Sequence, residues 1–201
     1  MMVKQKLFVV KIGGTLIDNE DLTKFLQEFA NIKTFKIPVH GGGNLDSELA
    51  VKLNVTQQMT DGGRITDQET LNIVTMVYAG KINKNIVTKL QSFHCNAIGF
   101  SGADGNLIKS EKRLIITIDY GFVGDVDPKS VNIDLLQNFL ELQLTPVFSA
   151  TTHNQNGVLL NTNADSIASV LAQALARNYN VELLYCFGKE GILKDVIDSN
   201  L

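Results

Sequence analysis

The sequence predicts a parallel α/β sheet flanked by helices, and three observations predict it. Runs such as "LFVVKI" (7–12) and "TPVFSA" (145–150) are continuously apolar and β-branched, the pattern of strands covered on both faces. Between such runs lie segments with apolar residues at three- and four-residue spacing, as in helices packed by one face. Several strands break abruptly into glycines, where the chain leaves a sheet by a tight turn. Strands alternating with helices argue for right-handed crossovers between parallel neighbours.

The elements follow in order. "LFVVKI" is the first strand and ends at Gly13 and Gly14. Residues 18–30 read as a helix, with Leu22, Phe25, Leu26 and Phe29 at i, i+3, i+4 and i+7. "FKIPVH" (35–40) is a second strand running into Gly41, Gly42 and Gly43, and Leu45, Leu49 and Leu53 mark the helix behind them. A long helix is predicted over 67–91, with Asp67 as its N-cap. "NAIGFSGADGN" (96–106) gives a third strand and a glycine turn. "LIKSEKRLIITIDYGFVGDV" (107–126) alternates and carries paired glycines, which reads as antiparallel ribbon beside the parallel sheet. A helix is expected over 135–144, a buried strand at "TPVFSA", a hairpin in "HNQNGVLLNTNAD" (153–165) and a strong helix over 164–177. "VELLYCF" (181–187) is the last strand. No helix follows to cover it, so a partner or further chain is expected over that face.

Composition narrows the function. The 201 residues carry a net charge of −3, and no stretch concentrates lysine and arginine. Binding of nucleic acid through a basic surface is therefore not expected, and any anionic ligand must be met by a local site. Cys95 and Cys186 are too few for a disulfide framework or zinc site, and His40, His94 and His153 lack metal-ligand spacing. No signal peptide or bilayer-spanning run is read, so a reduced, cytoplasmic setting without membrane contact is expected.

In open α/β sheets ligands bind beyond the carboxyl ends of strands, where both glycine turns lie. Glycine lets successive N–H groups converge on an anion, and the helix after Gly43 would add its N-terminal donors. Lys11 stands beside Gly13 and Gly14. Taken singly, each loop reads more readily as turn punctuation, and neither fits G-x-G-x-x-G or G-x-x-x-x-G-K-[ST]. His40 reads as a packed strand end. Asn161 and Asn163 suit a turn, Asp165 suits a helix start, and "DYGFVGD" (119–125) a structural hairpin.

Order adds what single signals lack. "VVKIGG", "VHGGGNLDSEL", "TDGGRITDQET", "GFSGADGNL", "DYGFVGDV" and "LNTNADSIASVLAQAL" occur in succession over almost the whole chain. That succession resembles the amino-acid kinase family, and G-x-R-x-T-D together with N-x-N-A-D points to its acylglutamate branch. The resemblance implies a three-layer α/β sandwich like that of carbamate kinase, with a central, mainly parallel sheet and antiparallel hairpins over the acceptor site. It implies ATP-dependent phosphorylation of the γ-carboxylate of an N-acylglutamate, with Mg²⁺ carried by the nucleotide and no protein metal ligand, on the route to arginine. By the same resemblance Lys11 contacts the transferred phosphoryl group and Asp165 orients it. Gly13 and Gly14 line the nucleotide phosphates, joined by Gly188 and Lys189. Gly42 and Gly43 hold the γ-carboxylate, Arg64 the α-carboxylate and Asn161 the acylamino end, with Asn163 beside it. A homodimer through the long helix and sheet edge is expected.

Two departures stand out. Cys186 and Phe187 occupy positions where the family usually shows Thr-Asp. The chain also stops before the family's second phosphoryl-contacting lysine. Residues 1–178 are thus expected to form the acceptor lobe, and 179–201 an incomplete start of the nucleotide lobe. A non-catalytic acylglutamate-binding module is the alternative. A dinucleotide-dependent oxidoreductase is disfavoured by the missing fingerprint. Acetyl and succinyl acceptors are not distinguished, since no cation besides Arg64 is evident near Asn161.

Overall fold

A computed structural model describes residues 4–60 and 63–187. Strand β1 (Lys6–Ile12) leads into a single helical turn, α1 (Gly14–Ile17), and helix α2 (Asp21–Ala30); β2 (Phe35–His40) leads into α3 (Leu45–Lys52). A two-stranded hairpin, β3 (Gln58–Thr60) and β4 (Gly63–Ile65), precedes one continuous helical stretch. That stretch comprises α4 (Gln68–Val74), a π-helical segment (Thr75–Ile82) and α5 (Asn83–Ser92). There follow β5 (Ala97–Phe100), β6 (Glu111–Lys112), β7 (Val123–Asp125), α6 (Ile133–Glu141), β8 (Thr145–Ser149), β9 (Thr151–His153), β10 (Leu159–Thr162), α7 (Ala164–Leu175) and β11 (Asn180–Cys186).

The central sheet has the order β11-β1-β2-β8-β5, and all its pairings are parallel. A second sheet, β6-β7-β10-β9, is mixed. Side chains alternate across β1. Leu7 and Val9 enter the core formed with α6 and α7, whereas Val10 and Ile12 enter the one formed with α2, α3 and the long helical stretch. A strand apolar on both sides needs a helical layer on both sides, and the three-layer sandwich supplies them. Each fully buried Leu or Ile, such as Leu136 or Ile86, contributes about 1.5–3 kcal/mol.

Most predicted elements appear, with three corrections. The helix expected over 18–30 begins only at Asp21, because a separate helical turn starts at Gly14 and Asp18, at its end, accepts a hydrogen bond from the Asn44 N–H at 2.8 Å. The ribbon expected over 107–126 is reduced to β6 and β7. Between them Leu114, Ile115 and Ile116 pair with no strand, and are 82%, 63% and 89% exposed. The long helix keeps its Asp67 cap, which accepts from the Thr70 N–H at 2.8 Å, but passes through a π segment midway. Strand β11 forms the sheet edge with Leu184 and Tyr185 partly exposed, at 42% and 41%.

One buried cation belongs to the scaffold. Lys36, near the start of β2, donates to the carbonyls of Phe29, Ala30 and Ile32 at 2.9, 2.8 and 2.8 Å. It thereby closes the C-terminal end of α2, where carbonyls lack helical partners.

Candidate active site

Both glycine turns emerge at the carboxyl edge of the central sheet, from adjacent strands in register (Ile12 opposite His40). They touch. A Cβ placed on Gly14 would lie 3.0 Å from the Gly43 Cα, so the two loop tips form one floor. Above it opens a cleft of about 470 Å³, lined by Lys11, Gly13, Gly14, the loop 41–44, Asn163, Asp165 and Phe187.

Lys11 has the same parity along β1 as Leu7 and Val9, so its side chain leaves the sheet on the α7 side. There Nζ meets Asp165 Oδ1 at 3.0 Å, the lysine side chain being 17% exposed. Asp165 is carried by the first turn of α7, whose start is fixed by Asn163. The Asn163 Oδ1 accepts from the N–H groups of Asp165 and Ser166 at 2.7 and 3.1 Å. An ammonium paired once, at the mouth of a cleft, keeps donors for an incoming anion.

The loop amides divide into used and unused. The Gly13 N–H donates to Cys186 O at 2.7 Å, so Gly13 serves by allowing β11 to pack closely rather than by offering a donor. The Asn44 N–H is taken by Asp18, which corrects the expectation that the start of α3 offers this donor to a ligand. The N–H groups of Gly42 and Gly43 donate to no protein acceptor among the described residues. At Gly42 the ring of Tyr78 lies against the backbone, leaving no room for a Cβ, which would fall 1.8 Å from the ring.

His40 holds this loop from below. Its ring is fully buried; Nε2 accepts from Asn83 Nδ2 at 3.1 Å, so Nδ1 carries the proton and donates to Gly41 O at 2.9 Å. Burial pushes its pKa down to about 4. It is the neutral packed strand end that the sequence suggests, not an acid or base.

A second cavity, of about 240 Å³, adjoins the cleft and shares Gly41, Asn163 and Ala164 with it. Its walls include Arg64 from β4, Asn161 from β10, Tyr78 and Arg113. Asn161 is held by its Nδ2, which donates to Thr66 Oγ1 at 3.1 Å. Arg64 forms an ion pair with the fully buried Asp46 through Nη1, and its Nη2 donates to Ser47 Oγ at 3.2 Å.

Lys11, Gly13, Gly14, Gly42, Gly43, Arg64, Asn161, Asn163 and Asp165 therefore line one continuous site; Gly188 and Lys189 lie outside the described residues. Sequence reasoning missed Asp46, Tyr78 and Arg113. Arg113 supplies the second cation that no motif disclosed. It stacks on Tyr120 at 5.1 Å and binds Asp125 through Nε and Nη2, the latter at 2.7 Å. That carboxylate's hydrogen bonds hold the guanidinium pKa above its usual value. No spacing rule could have brought it beside Arg64. Only the antiparallel pairing of β6 with β7 does so.

Comparison with known proteins gives the chain its relatives. The profile of the Amino acid kinase family matches residues 6–194. The acetylglutamate kinase of Cytophaga hutchinsonii is 54% identical over 198 residues, covering 98% of this chain and 74% of the relative. That of Parabacteroides distasonis is 48% identical over 196 residues, covering 97% and 76%. Among solved structures, the N-acetylglutamate synthase of Neisseria gonorrhoeae, complexed with coenzyme A and N-acetyl-glutamate, superposes with a TM-score of 0.78. It is 18% identical, covering 95% of this chain and 43% of that one, a likeness of fold.

Proposed function

The chain belongs to the amino acid kinase family, and from that premise we propose that it transfers the γ-phosphoryl group of ATP to the γ-carboxylate of N-acetylglutamate, a step toward arginine. The observation that carries this reading is the junction of a lysine-bearing cleft with an arginine-bearing pocket at Gly41, Asn163 and Ala164. Two mutually repelling anions need such a meeting point, and alignment with charge stabilisation is most of what phosphoryl transfer requires.

Arg64 suits the α-carboxylate, since its planar fork matches that group, and Asn161 the acylamino end. The unused N–H groups of Gly42 and Gly43 hold the γ-carboxylate. Lys11, oriented by Asp165, neutralises charge on the phosphoryl oxygens as the group moves. A carboxylate oxygen attacks the γ-phosphorus, the bond to the β–γ bridging oxygen breaks, and ADP leaves with that electron pair. No base is needed, because a glutamate carboxylate with a pKa of about 4.3 is already ionised at neutral pH. Mg²⁺ fits as the escort of the phosphates, supplying further charge neutralisation. We assign acceptor recognition to residues 1–178 and the nucleotide side to 179–201, in a cytoplasmic homodimer. The exposed edge strand β11 supports a covering partner or segment, and no described helix is long and apolar enough to cross a membrane.

Incubation with ATP, Mg²⁺ and N-acetylglutamate, followed by hydroxylamine trapping, is expected to yield the acyl hydroxamate and equimolar ADP. Calorimetric binding of acetylglutamate without hydroxamate would instead support a non-catalytic acceptor-binding module. Arg113 favours a second reading for the acyl group. A cation in the acceptor cavity suits an acyl chain that ends in a carboxylate, as in N-succinylglutamate. Side-by-side titration of the two acylglutamates against wild type and Arg113→Gln decides between them.

A further inference from the structure

Arg64 rides on a two-stranded hairpin, whereas the glycine loop is set into the central sheet. A buried network joins the two. Asp46 stands in the first turn of α3, directly behind the glycine loop, and is completely buried. Its Oδ2 forms an ion pair with the Arg64 guanidinium and accepts a hydrogen bond from the Tyr78 hydroxyl at 3.2 Å, while Asp46 Oδ1 and Arg64 Nη1 have no hydrogen-bond partner among the described residues. A carboxylate in that state is stabilised chiefly by the arginine's charge, and the arginine is held by it in return. Tyr78 joins the two halves a second time. It comes from the π segment, its ring lies against Gly42 and its hydroxyl reaches Asp46. π segments are frequent at functional sites.

We propose that Asp46, with Tyr78, is the positioning group that sets Arg64 at a fixed distance from the Gly42–Gly43 donors, and so selects acceptors whose two carboxylates have glutamate's separation. This rests on the acceptor reading above. Asp46 lines neither cavity and acts through Arg64. Removing its charge leaves the guanidinium free to choose other partners and blurs its grip on the α-carboxylate, but leaves the γ-carboxylate donors in place.

The test is calorimetric, with two probes: N-acetyl-L-glutamate, and 4-acetamidobutanoate, which lacks the α-carboxylate. Wild type is expected to prefer acetylglutamate. In Asp46→Asn that preference falls about tenfold, the scale of one hydrogen bond to a charged group, and in Tyr78→Phe about threefold. The affinity for 4-acetamidobutanoate moves less than twofold in Asp46→Asn. A merely structural role for Asp46 would weaken both probes alike and overturns the proposal. So does an unchanged preference, or a raised one, which would make Asp46 a competitor for Arg64. Should Asp46→Asn fail to fold, Asp46→Glu, which keeps the charge but displaces it by one methylene, is read by the same preference: a fall supports the proposal and an unchanged value overturns it. If wild type does not distinguish the probes, the acceptor reading fails and the inference falls with it. If wild type distinguishes them and the variants do so equally well, only the inference falls.

Discussion

Two lysines mark opposite ends of the central sheet, and they have opposite fates. Lys36, at the amino end of β2, commits its ammonium to three carbonyls within 2.9 Å; desolvation lowers its pKa. Lys11, at the carboxyl end of β1, has one carboxylate partner and faces an open cleft. Residue type and strand environment are nearly the same. What differs is how many donors the fold has already consumed, and that separates a structural cation from one able to meet a phosphate.

The sharpest way to break this contrast is to remove each ammonium. An ammonium about 4 Å from the moving phosphoryl, at an effective dielectric of about 20, contributes roughly 4 kcal/mol. Lys11→Ala is therefore expected to lower turnover by about two to three decades, with acceptor affinity barely changed. A small loss of turnover with a large rise in acceptor KM would contradict its role. Lys36→Met strands three helix-end carbonyls and is expected to cost about 3 kcal/mol of stability in urea unfolding, with the folded fraction keeping its turnover per molecule. Equal loss of turnover in the two variants would erase the distinction between the ends of the sheet.

His40 sharpens the contrast through pH. Its folded pKa of about 4 lies below the unfolded value of about 6.5, so between these limits the unfolded chain binds the extra proton. Its contribution, about 3 kcal/mol, is complete above pH 6.5 and lost as pH falls to 4. Stability curves for wild type and His40→Asn should converge across that window; parallel curves would mean that the ring is not held neutral. The smallest expected effect is at Asn163. Removing its cap on α7 with Asn163→Ala should cost about 1 kcal/mol in stability and lower turnover modestly, because Asp165 rides on that first turn. Unchanged turnover would show that Asp165 needs no help in reaching Lys11.

Much of the fold was legible because burial on both faces writes itself into sequence as unbroken apolar runs, as in "LFVVKI" and "TPVFSA". The stretch from Leu114 to Ile118 misled because a strand-like pattern yields a strand only where a partner edge exists, and none is offered there. Within the site, Lys11, Gly42, Gly43, Arg64, Asn161 and Asp165 could be named from ordered motifs. Which glycine amides remain free could not. The bonds from Gly13 to Cys186 and from Asn44 to Asp18 join segments far apart in the chain.

The sequence by itself determined the layers, the strand-end turns and the residue types that gather there, because these follow from local periodicity and from glycine's backbone freedom. Only the tertiary structure decided that Asp46 is buried beside Arg64, that Tyr78 lies against Gly42, and that Arg113 lines the same cavity as Arg64. The physical reason is that counter-ions and occupied donors are set by contacts between elements distant along the chain, and no local pattern records which partner a charge will meet.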